Sequence, residues 1–193
     1  MSISTRDPKQ RAILEAAWGG FATYGYRKTS MDDIAKRAGM SRPAVYLHFR
    51  NKEAILKAMI DAHYADTTGR VRDALVADGE LGERLQAAFC AQGGEVMEAM
   101  LSTPHGMEVL EASVSTAGDH IEAGEAAMRK IYEQWLVEAE AASQVHLPGE
   151  AADIARTFCS AMKGVKHTAA DYVAYRAGVC QLAQLFSAAL RPG

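Results

Sequence analysis

The sequence predicts an all-α protein in which a small domain of short helices precedes a larger domain of long helices. Apolar residues recur at spacings of three and four along most of the chain, and no segment shows the strict alternation typical of a strand. Alanine is the commonest residue and aromatic residues make up only 7%, which favours helices over many short strands. With 49% apolar and 23% charged residues, the 193-residue chain is typical of a globular protein rather than a disordered tail or a disulfide scaffold.

The first three predicted helices, and the fourth that follows them, each begin after a residue suited to N-capping. These residues are Asp7, Ser30, Ser41 and Asn51. Pro8 suits the first helical position, and Asp33 completes a capping box with the serine three residues before it. Gly25 ends the first helix, and Gly39 allows a tight turn before a third helix predicted from Arg42 to about residue 48.

The remaining predicted helices are longer and have acidic outer faces. Their predicted ranges are 53–77, 81–101, 105–117, 120–144, 151–168 and 170–190. Glycine- or proline-containing pairs mark the breaks, at Asp78-Gly79, Thr103-Pro104, Gly118-Asp119 and Pro148-Gly149. We therefore expect one domain over residues 1–52 and a second over residues 53–193.

Charge is distributed unevenly along the chain. Residues 1–60 hold 11 Lys/Arg against 5 Asp/Glu, a net charge of +6, and residues 61–193 hold 10 against 19, a net charge of −9. A basic first third suggests contact with a polyanion. No apolar run approaches the roughly 20 residues that span a bilayer, and residues 1–6 lack the apolar core of a secretory signal. Three cysteines without metal-type spacing predict reduced thiols, so we expect a cytoplasmic protein and no membrane contact.

Two short helices joined by a glycine-containing turn, with a support helix before them, describe a helix-turn-helix. In this motif the second short helix projects its N-terminal end into the major groove of DNA. We expect Ile34, Val45 and Phe49 to pack the crossing, and the outward positions of the third helix to be Arg42, Pro43, Ala44, Tyr46 and His48.

A distinctive series of residues runs through these helices. It comprises Tyr24-Gly25-Tyr26, Thr29-Ser30-Met31, Ile34-Ala35, Ala38-Gly39-Met40-Ser41, Val45-Tyr46-Leu47-His48-Phe49 and Asn51-Lys52-Glu53. The series resembles the N-terminal domain of TetR-family (tetracycline-repressor-type) regulators over roughly residues 8–55. The resemblance implies a three-helix DNA-binding domain joined to a helical-bundle effector and dimerisation domain. It also implies a transcriptional regulator, usually a repressor that a small, largely apolar effector releases from a palindromic operator.

The resemblance assigns DNA contacts residue by residue. It implies base-reading roles for Arg42, Pro43, Ala44 and Tyr46, and phosphate contacts for Ser30, Ser41, Tyr46, His48 and Lys52. Arg42 is the best base reader among them, because a guanidinium donates two hydrogen bonds to guanine O6 and N7. The alternatives are a solvated charge at Arg42, a half-buried packing residue at Tyr46 and a backbone hydrogen bond at His48.

The middle helices carry the residues that we expect to enclose an effector if the resemblance holds. They are Phe89, Gln92, Met97, Met100, His105, Met107, Met128, Tyr132 and Trp135. Methionine adapts to irregular apolar ligands, and Gln92, Tyr132 or His105 would orient one. The alternative is ordinary core packing, which is the commoner role of such residues at helical spacing.

Two stripes with heptad-like spacing near the end of the chain predict a homodimer interface. They comprise Ile154, Phe158, Ala161 and Val165 in one helix, and Tyr172, Tyr175, Val179, Leu182 and Phe186 in the next. A twofold dimer also follows from the palindromic operator, whose half-sites lie about one helical turn apart. The alternative is that these stripes form intramolecular core.

The sequence contains no glycine-rich phosphate loop, HExxH motif or nucleophile elbow, so we predict that the protein is not an enzyme. The histidines lack ligand spacing, and we expect no metal and no cofactor. Two alternatives remain open: a metal- or haem-binding bundle, and a redox sensor in which Cys159 and Cys180 approach each other in adjacent helices.

Overall fold

The structure, a computed structural model, describes residues 7–192, and every regular element in that range is an α-helix. The helices are α1 (Pro8–Tyr24), α2 (Met31–Arg37), α3 (Arg42–Tyr46), α4 (Lys52–Val76), α5 (Leu81–Ser102), α6 (Gly106–Ala141), α7 (Ala151–Thr168) and α8 (Tyr172–Ala189). The predicted all-α class is therefore confirmed over the described residues. Residues 1–6, which carried the expectation about a secretory signal, lie outside them.

The chain divides into two compact units. Unit 1 comprises the described residues up to Asp66 together with Glu98–Gly124, and unit 2 comprises Thr67–Met97 and the described residues from Glu125 onward. The domain boundary predicted after residue 52 stays a prediction, because compactness alone does not assign a function to either part.

The predicted caps of the short helices in unit 1 are confirmed. Asp7 accepts a hydrogen bond from the Lys9 backbone N–H at 2.8 Å. Asn51 Oδ1 accepts one from the Ala54 N–H at 2.8 Å before α4. Gly25 follows α1 at φ 90° and ψ 151°, a conformation that a residue with a side chain rarely adopts. Each cap satisfies backbone groups that a helix end leaves unpaired, so the helix bounds follow from local chemistry.

The core of unit 1 is built from the faces that the apolar spacing predicted. Ile13 and Phe21 on α1, Ile34 on α2 and Val45 on α3 are fully buried, and Phe49 is 8% exposed. Each large side chain of this kind contributes roughly 1.5–3 kcal/mol when it leaves water. This packing fixes the crossing of α2 and α3.

Several predicted helix boundaries differ from the observed ones by one to three residues, and two differences have a visible cause. The prediction that α3 reaches residue 48 is wrong by two residues, because the His48 N–H turns to the Val45 carbonyl three residues back, at 3.0 Å, and the helix ends at Tyr46. The predicted break at Gly118-Asp119 is a kink inside α6, where Ala117 has φ −137° and ψ 33°.

The core of unit 2 is a cluster of aromatic rings from four helices. Phe89 packs edge-on against Tyr132, Phe158 and Phe186, with centroid distances of 5.9, 5.4 and 6.1 Å. Edge-to-face pairs of this kind are the geometry that aromatic quadrupoles prefer.

No helix within residues 7–192 is long and apolar enough to cross a membrane.

Candidate nucleic-acid interface

The segment from α2 to α3 is held by reciprocal capping and one tight turn. The Ser30 hydroxyl accepts from the Asp33 N–H at 3.2 Å, while the Asp33 carboxylate accepts from the Ser30 N–H at 2.9 Å. These bonds to Ser30 lower the pKa of Asp33. Gly39 adopts φ +65°, and Ser41 caps α3 through the Ala44 N–H at 3.3 Å. The two helices are therefore linked by the predicted helix-turn-helix geometry.

Helix α3 places most of the predicted base-reading side chains on the surface. Arg42, Pro43 and Tyr46 are exposed, and Ala44 is half-buried. Val45 is the buried residue of α3 and anchors the helix to the core of unit 1. The exposed face of α3 therefore combines a cation, a ring hydroxyl and small apolar groups.

The Arg42 guanidinium is oriented by two neighbours. Its Nε lies 3.2 Å from Asp32 Oδ1, and its Nη1 donates to Asp32 Oδ2 at 3.2 Å. The guanidinium carbon also lies 5.5 Å from the centroid of the Tyr46 ring. Hydrogen bonding with Tyr46 and attraction by Asp32 raise the pKa of Arg42. Asp32 was not among the predicted site residues, because a carboxylate is an unexpected neighbour for DNA.

The predicted phosphate contacts occupy different surroundings. Ser30 and Ser41 are exposed at the N-termini of α2 and α3, where backbone N–H groups attract anions. The Ser30 hydroxyl also donates to Asp33 Oδ2 at 2.6 Å. His48 is half-buried, and its Nδ1 lies 3.5 Å from Asp7 Oδ2. Tyr46 is 41% exposed and therefore accessible to a phosphate.

Lys52 is engaged inside the protein. Its ammonium donates to the backbone carbonyls of Tyr26, Arg27 and Thr29 at 2.8, 3.0 and 3.3 Å. It also lies 4.7 Å from the centroid of the Tyr26 ring. Burial lowers the pKa of Lys52, and the nearby Glu108 carboxylate partly offsets this effect. Since an ammonium has three donors, the geometry gives Lys52 a structural role and disfavours the predicted phosphate contact.

The first turn of α6 meets the turn between α1 and α2. The Glu108 carboxylate accepts from the Arg27 N–H at 3.2 Å and lies 3.0 Å from His105 Nδ1. The Arg27 N–H bond and then His105 lower the pKa of Glu108. A Cβ added to Gly25 would overlap the Glu108 carboxylate. No local sequence pattern predicts this contact, because 81 residues separate Arg27 from Glu108.

A basic groove of about 560 Å³ lies beside α2, and its role was not predicted. Tyr24, Lys28, Thr29, Asp33, Lys36 and Arg37 line it. The Arg37 guanidinium carbon lies 5.1 Å from the centroid of the Tyr24 ring. The groove extends the positive charge of unit 1 beyond α3, and the only sequence signal for it was the basic net charge of residues 1–60.

The predicted effector residues are distributed over both units. Unit 2 holds Phe89, Gln92, Met97, Met128, Tyr132 and Trp135, whereas unit 1 holds Met100, His105 and Met107. Within unit 1, His105 pairs with Glu108, and Met107 is 45% exposed on the surface. The predicted lining of one common pocket is therefore not supported for these two residues.

Within unit 2 most of the predicted lining residues are buried in the core. Phe89, Met97 and Tyr132 are fully buried, and the Tyr132 hydroxyl donates to Gln92 Oε1 at 2.8 Å. Burial raises the pKa of Tyr132 well above its usual value. Trp135 instead lines a cleft of about 340 Å³ with the Arg84 guanidinium 5.8 Å from its ring centroid. The alternative of core packing therefore describes this set better than an open pocket.

Some residues of the predicted dimer stripes are buried inside unit 2, and the others are half-buried. Phe158 and Val179 are fully buried and Tyr175 is 2% exposed, so these three side chains cannot meet a partner chain. The other six members of the stripes are half-buried: Ile154, Ala161, Val165, Tyr172, Leu182 and Phe186. The stripe of α8 that points outward is a different one, and it includes Val173 at 77% and Leu185 at 57% exposure.

The candidate interface lies within a segment that matches a known protein family. Residues 13–59, which contain α2, the turn and α3, match the family described as bacterial regulatory proteins, tetR family. Residues 13–59 therefore form a TetR-type N-terminal region. The family match does not extend beyond residues 13–59.

Curated relatives match part of the chain. The HTH-type transcriptional activator FasR of Mycolicibacterium smegmatis is 37% identical over 83 residues, which are 43% of this chain and 38% of FasR. The A-factor receptor protein of Streptomyces griseus is 41% identical over 51 residues, which are 26% of this chain and 18% of that receptor. This chain therefore spans well under half the length of these relatives.

Solved structures share the fold over nearly the whole chain. A chain from a study of the control of antibiotic production by bacterial hormones is 26% identical, with a TM-score of 0.74 over 97% of this chain and 100% of that one. A complex of SmeT with triclosan is 21% identical, with a TM-score of 0.70 over 96% of this chain and 93% of SmeT. The likeness to SmeT shows the fold alone.

Proposed function

We propose that this protein is a cytoplasmic, homodimeric transcriptional regulator that binds a palindromic DNA operator and is released from it by a small, largely apolar effector. The observation that carries the proposal is the exposed face of α3, which lies within a TetR-type domain and presents Arg42, Pro43 and Tyr46 to solvent. Nothing in this arrangement supplies a nucleophile next to a base, so the proposed activity is binding and not catalysis.

In the proposed complex α3 lies in the major groove. Arg42 donates to guanine O6 and N7, while Pro43 and Ala44 contact apolar base edges such as the thymine methyl group. Tyr46 contacts a base or the adjacent phosphate. Ser30, Ser41 and His48 position the domain on the sugar-phosphate backbone. Lys52 is left out of this set, because its donors serve the turn between α1 and α2.

The proposed homodimer uses the outward faces of α7 and α8. The exposed residues of α8 at spacings of three and four include Val173, Ala177, Leu185 and Ala188. A contiguous patch of exposed apolar side chains marks an interaction site on a protein surface. Twofold pairing would present two copies of α3 to two half-sites.

The proposed effector acts in unit 2, where the buried Tyr132–Gln92 hydrogen bond is a polar pair among apolar side chains. The SmeT–triclosan complex is an example of a small apolar ligand on this fold. A ligand that binds one conformation better than another lowers DNA affinity by that difference in binding free energy. We propose that the protein represses transcription, although FasR is named an activator. A promoter-reporter assay distinguishes repression from activation.

The proposal is tested by selecting bound duplexes from a randomised DNA pool with the full chain. The control is Val137→Ala, which changes an exposed side chain of unit 2, and the loss-of-function variant is Arg42→Ala combined with Tyr46→Ala. The wild type and the control should enrich one palindrome, and the double variant should not.

Salt dependence gives a second measurement on the enriched duplex. If about six phosphates are contacted per dimer, the logarithm of the DNA-binding constant should fall with the logarithm of the salt concentration with a slope of about −5. Failure of folded wild-type protein to enrich any palindrome, or a salt slope near zero, would contradict DNA binding by α3.

A further inference from the structure

We propose that Asp32 is a positioning residue that sets the base preference of Arg42 by fixing the orientation of its guanidinium. The proposal rests on the DNA-binding function proposed above and adds to it a residue from α2 that does not itself read a base. It predicts that a carboxylate on the DNA-facing side of the domain improves discrimination between sequences while it weakens binding to all of them.

The contact between Arg42 and Asp32 consists of one charge-assisted hydrogen bond and a second close approach. Arg42 Nη1 donates to Asp32 Oδ2 at 3.2 Å, and Arg42 Nε lies 3.2 Å from Asp32 Oδ1. Hydrogen bonds between ionised groups are stronger than those between neutral groups. The carboxylate therefore favours one orientation of the guanidinium.

The hydrogen bond to Asp32 leaves base-reading donors available. A guanidinium has five N–H groups, and this bond uses one of the two on Nη1. Four N–H groups remain outside the bond, and guanine O6 and N7 need two of them. Asp32 can therefore hold Arg42 while Arg42 reads a base.

The two helices supply this geometry through their first turns. Asp32 lies in the first turn of α2, which the Ser30 capping box fixes, and Arg42 is the first residue of α3 after Ser41. Tyr46, one turn later on α3, places its ring centroid 5.5 Å from the guanidinium carbon. The edge of the guanidinium is thus held by α2 and one face by α3.

Stability does not explain the pair. The side chains of Arg42 and Asp32 are 60% and 48% exposed, and exposed ion pairs contribute little to folding. The Asp32 carboxylate also repels the phosphate backbone that α3 is proposed to approach. Binding to non-specific DNA depends on net charge, so Asp32 weakens it. Its benefit must therefore lie in the discrimination between bases.

The test measures Kd for the selected operator and for duplexes with each half-site base pair replaced in turn. The proteins are wild type, Asp32→Asn, Arg42→Lys and, as a matched control, Asp73→Asn, which removes an exposed carboxylate from α4 in unit 2. A random-sequence duplex reports non-specific binding. Circular dichroism checks that each variant is folded.

For the wild type and Asp73→Asn we expect replacement of the guanine read by Arg42 to weaken binding by about tenfold or more. For Asp32→Asn this penalty should fall to about threefold or less, while binding to the random duplex tightens by about two- to threefold, as one phosphate-repelling charge is removed. Arg42→Lys should lose the same base preference, because an ammonium lacks the planar, paired donors of a guanidinium.

Several results would overturn the proposal while DNA binding stands. They are an unchanged base penalty in Asp32→Asn, equal weakening on all duplexes, or a selected half-site with no base preference that depends on Arg42. If folded wild-type protein selects no sequence, the proposed function fails and the role of Asp32 fails with it.

Discussion

Lys52 Nζ lies 2.8 Å from the carbonyl oxygen of Tyr26, so the first residue of α4 is bonded to the turn that precedes α2. Two further carbonyls of the same turn accept from this ammonium, and the Tyr26 ring lies against it. The start of α4 and the helix-turn-helix are therefore mechanically joined. A displacement of this end of α4 would carry α2 and α3 with it.

We expect Lys52→Met to destabilise the protein by about 2 kcal/mol, because three backbone carbonyls, two of them at part-buried contacts, lose a charged donor. For a chain of this size the corresponding fall in Tm is about 4–8 °C. Lys57→Met is the control, since Lys57 forms only an i,i+4 pair with Glu53 worth about 0.3–0.5 kcal/mol. Thermal unfolding followed by circular dichroism measures both, and equal shifts for the two variants would contradict the structural role of Lys52.

We expect Gly25→Ala to cost at least about 2 kcal/mol of stability, because the backbone at φ 90° and ψ 151° is strained for alanine and the added methyl meets Glu108. Gly39→Ala should cost only about 1 kcal/mol, since φ is +65° and nothing lies within 4 Å of the new atom. Chemical denaturation of the two variants gives the comparison. A smaller loss for Gly25→Ala than for Gly39→Ala would refute the contact with Glu108.

Acid should destabilise unit 1 in part through Glu108. The Arg27 N–H and His105 lower the folded-state pKa of Glu108 below its usual 4.5. A carboxyl with a depressed folded pKa contributes stability above its unfolded pKa and loses it as the pH falls through the folded pKa. Glu108→Gln should therefore be less stable than wild type at pH 6 and should lose less stability between pH 6 and about pH 3. Parallel Tm–pH curves would show that Glu108 contributes nothing.

Leu185→Glu should convert the proposed dimer into a monomer without unfolding it, because Leu185 is 57% exposed in unit 2. A glutamate placed in the twofold interface would be buried near its own symmetry mate or an apolar surface. Val137→Glu, at 54% exposure on α6, is the matched control. Sedimentation velocity measures the oligomeric state. A monomeric wild type, or a Leu185→Glu variant that stays dimeric, would rule out this face of α8.

Cys159 should react slowly with alkylating reagents. Burial raises the pKa of its thiol to about 11, so only about one molecule in a thousand carries the reactive thiolate at pH 8. Iodoacetamide labelling followed by mass spectrometry should therefore modify Cys159 slowly in the folded protein and rapidly in urea. Fast labelling of folded protein would restore the redox-sensor alternative for this residue.

Residues 7–50 are predicted well because their structure follows from local chemistry. Capping at Ser30 and Ser41 and the turn at Gly39 each depend on residues within four positions, and the structure reproduces them. The two helices predicted on either side of Gly118-Asp119 are one helix, α6, with a kink at Ala117. The groove beside α2 and the Glu108 contact depend on residues that are distant in sequence, so no local pattern could reveal them.

The errors in the long helices have one physical cause. A stripe such as Phe158 with Val165, or Tyr175 with Val179, shows that one face of a helix avoids water but does not show what covers it. Phe158, Tyr175 and Val179 are covered within unit 2. Lys52 is the opposite case, because a cation near a helix-turn-helix suggests a phosphate contact, whereas three backbone carbonyls occupy it.

Val45 is the buried side chain among the five residues of α3, and the other four are exposed or half-buried. The fold of unit 1 therefore constrains one residue of α3, and most of the other residues of this helix are available for contacts with a ligand. Sequence specificity can change through these outward positions while caps and core stay intact. Under the proposed function one scaffold can thus serve many operators, and exchanging residues 42, 43, 44 and 46 between relatives would exchange their DNA preference while the fold stays the same.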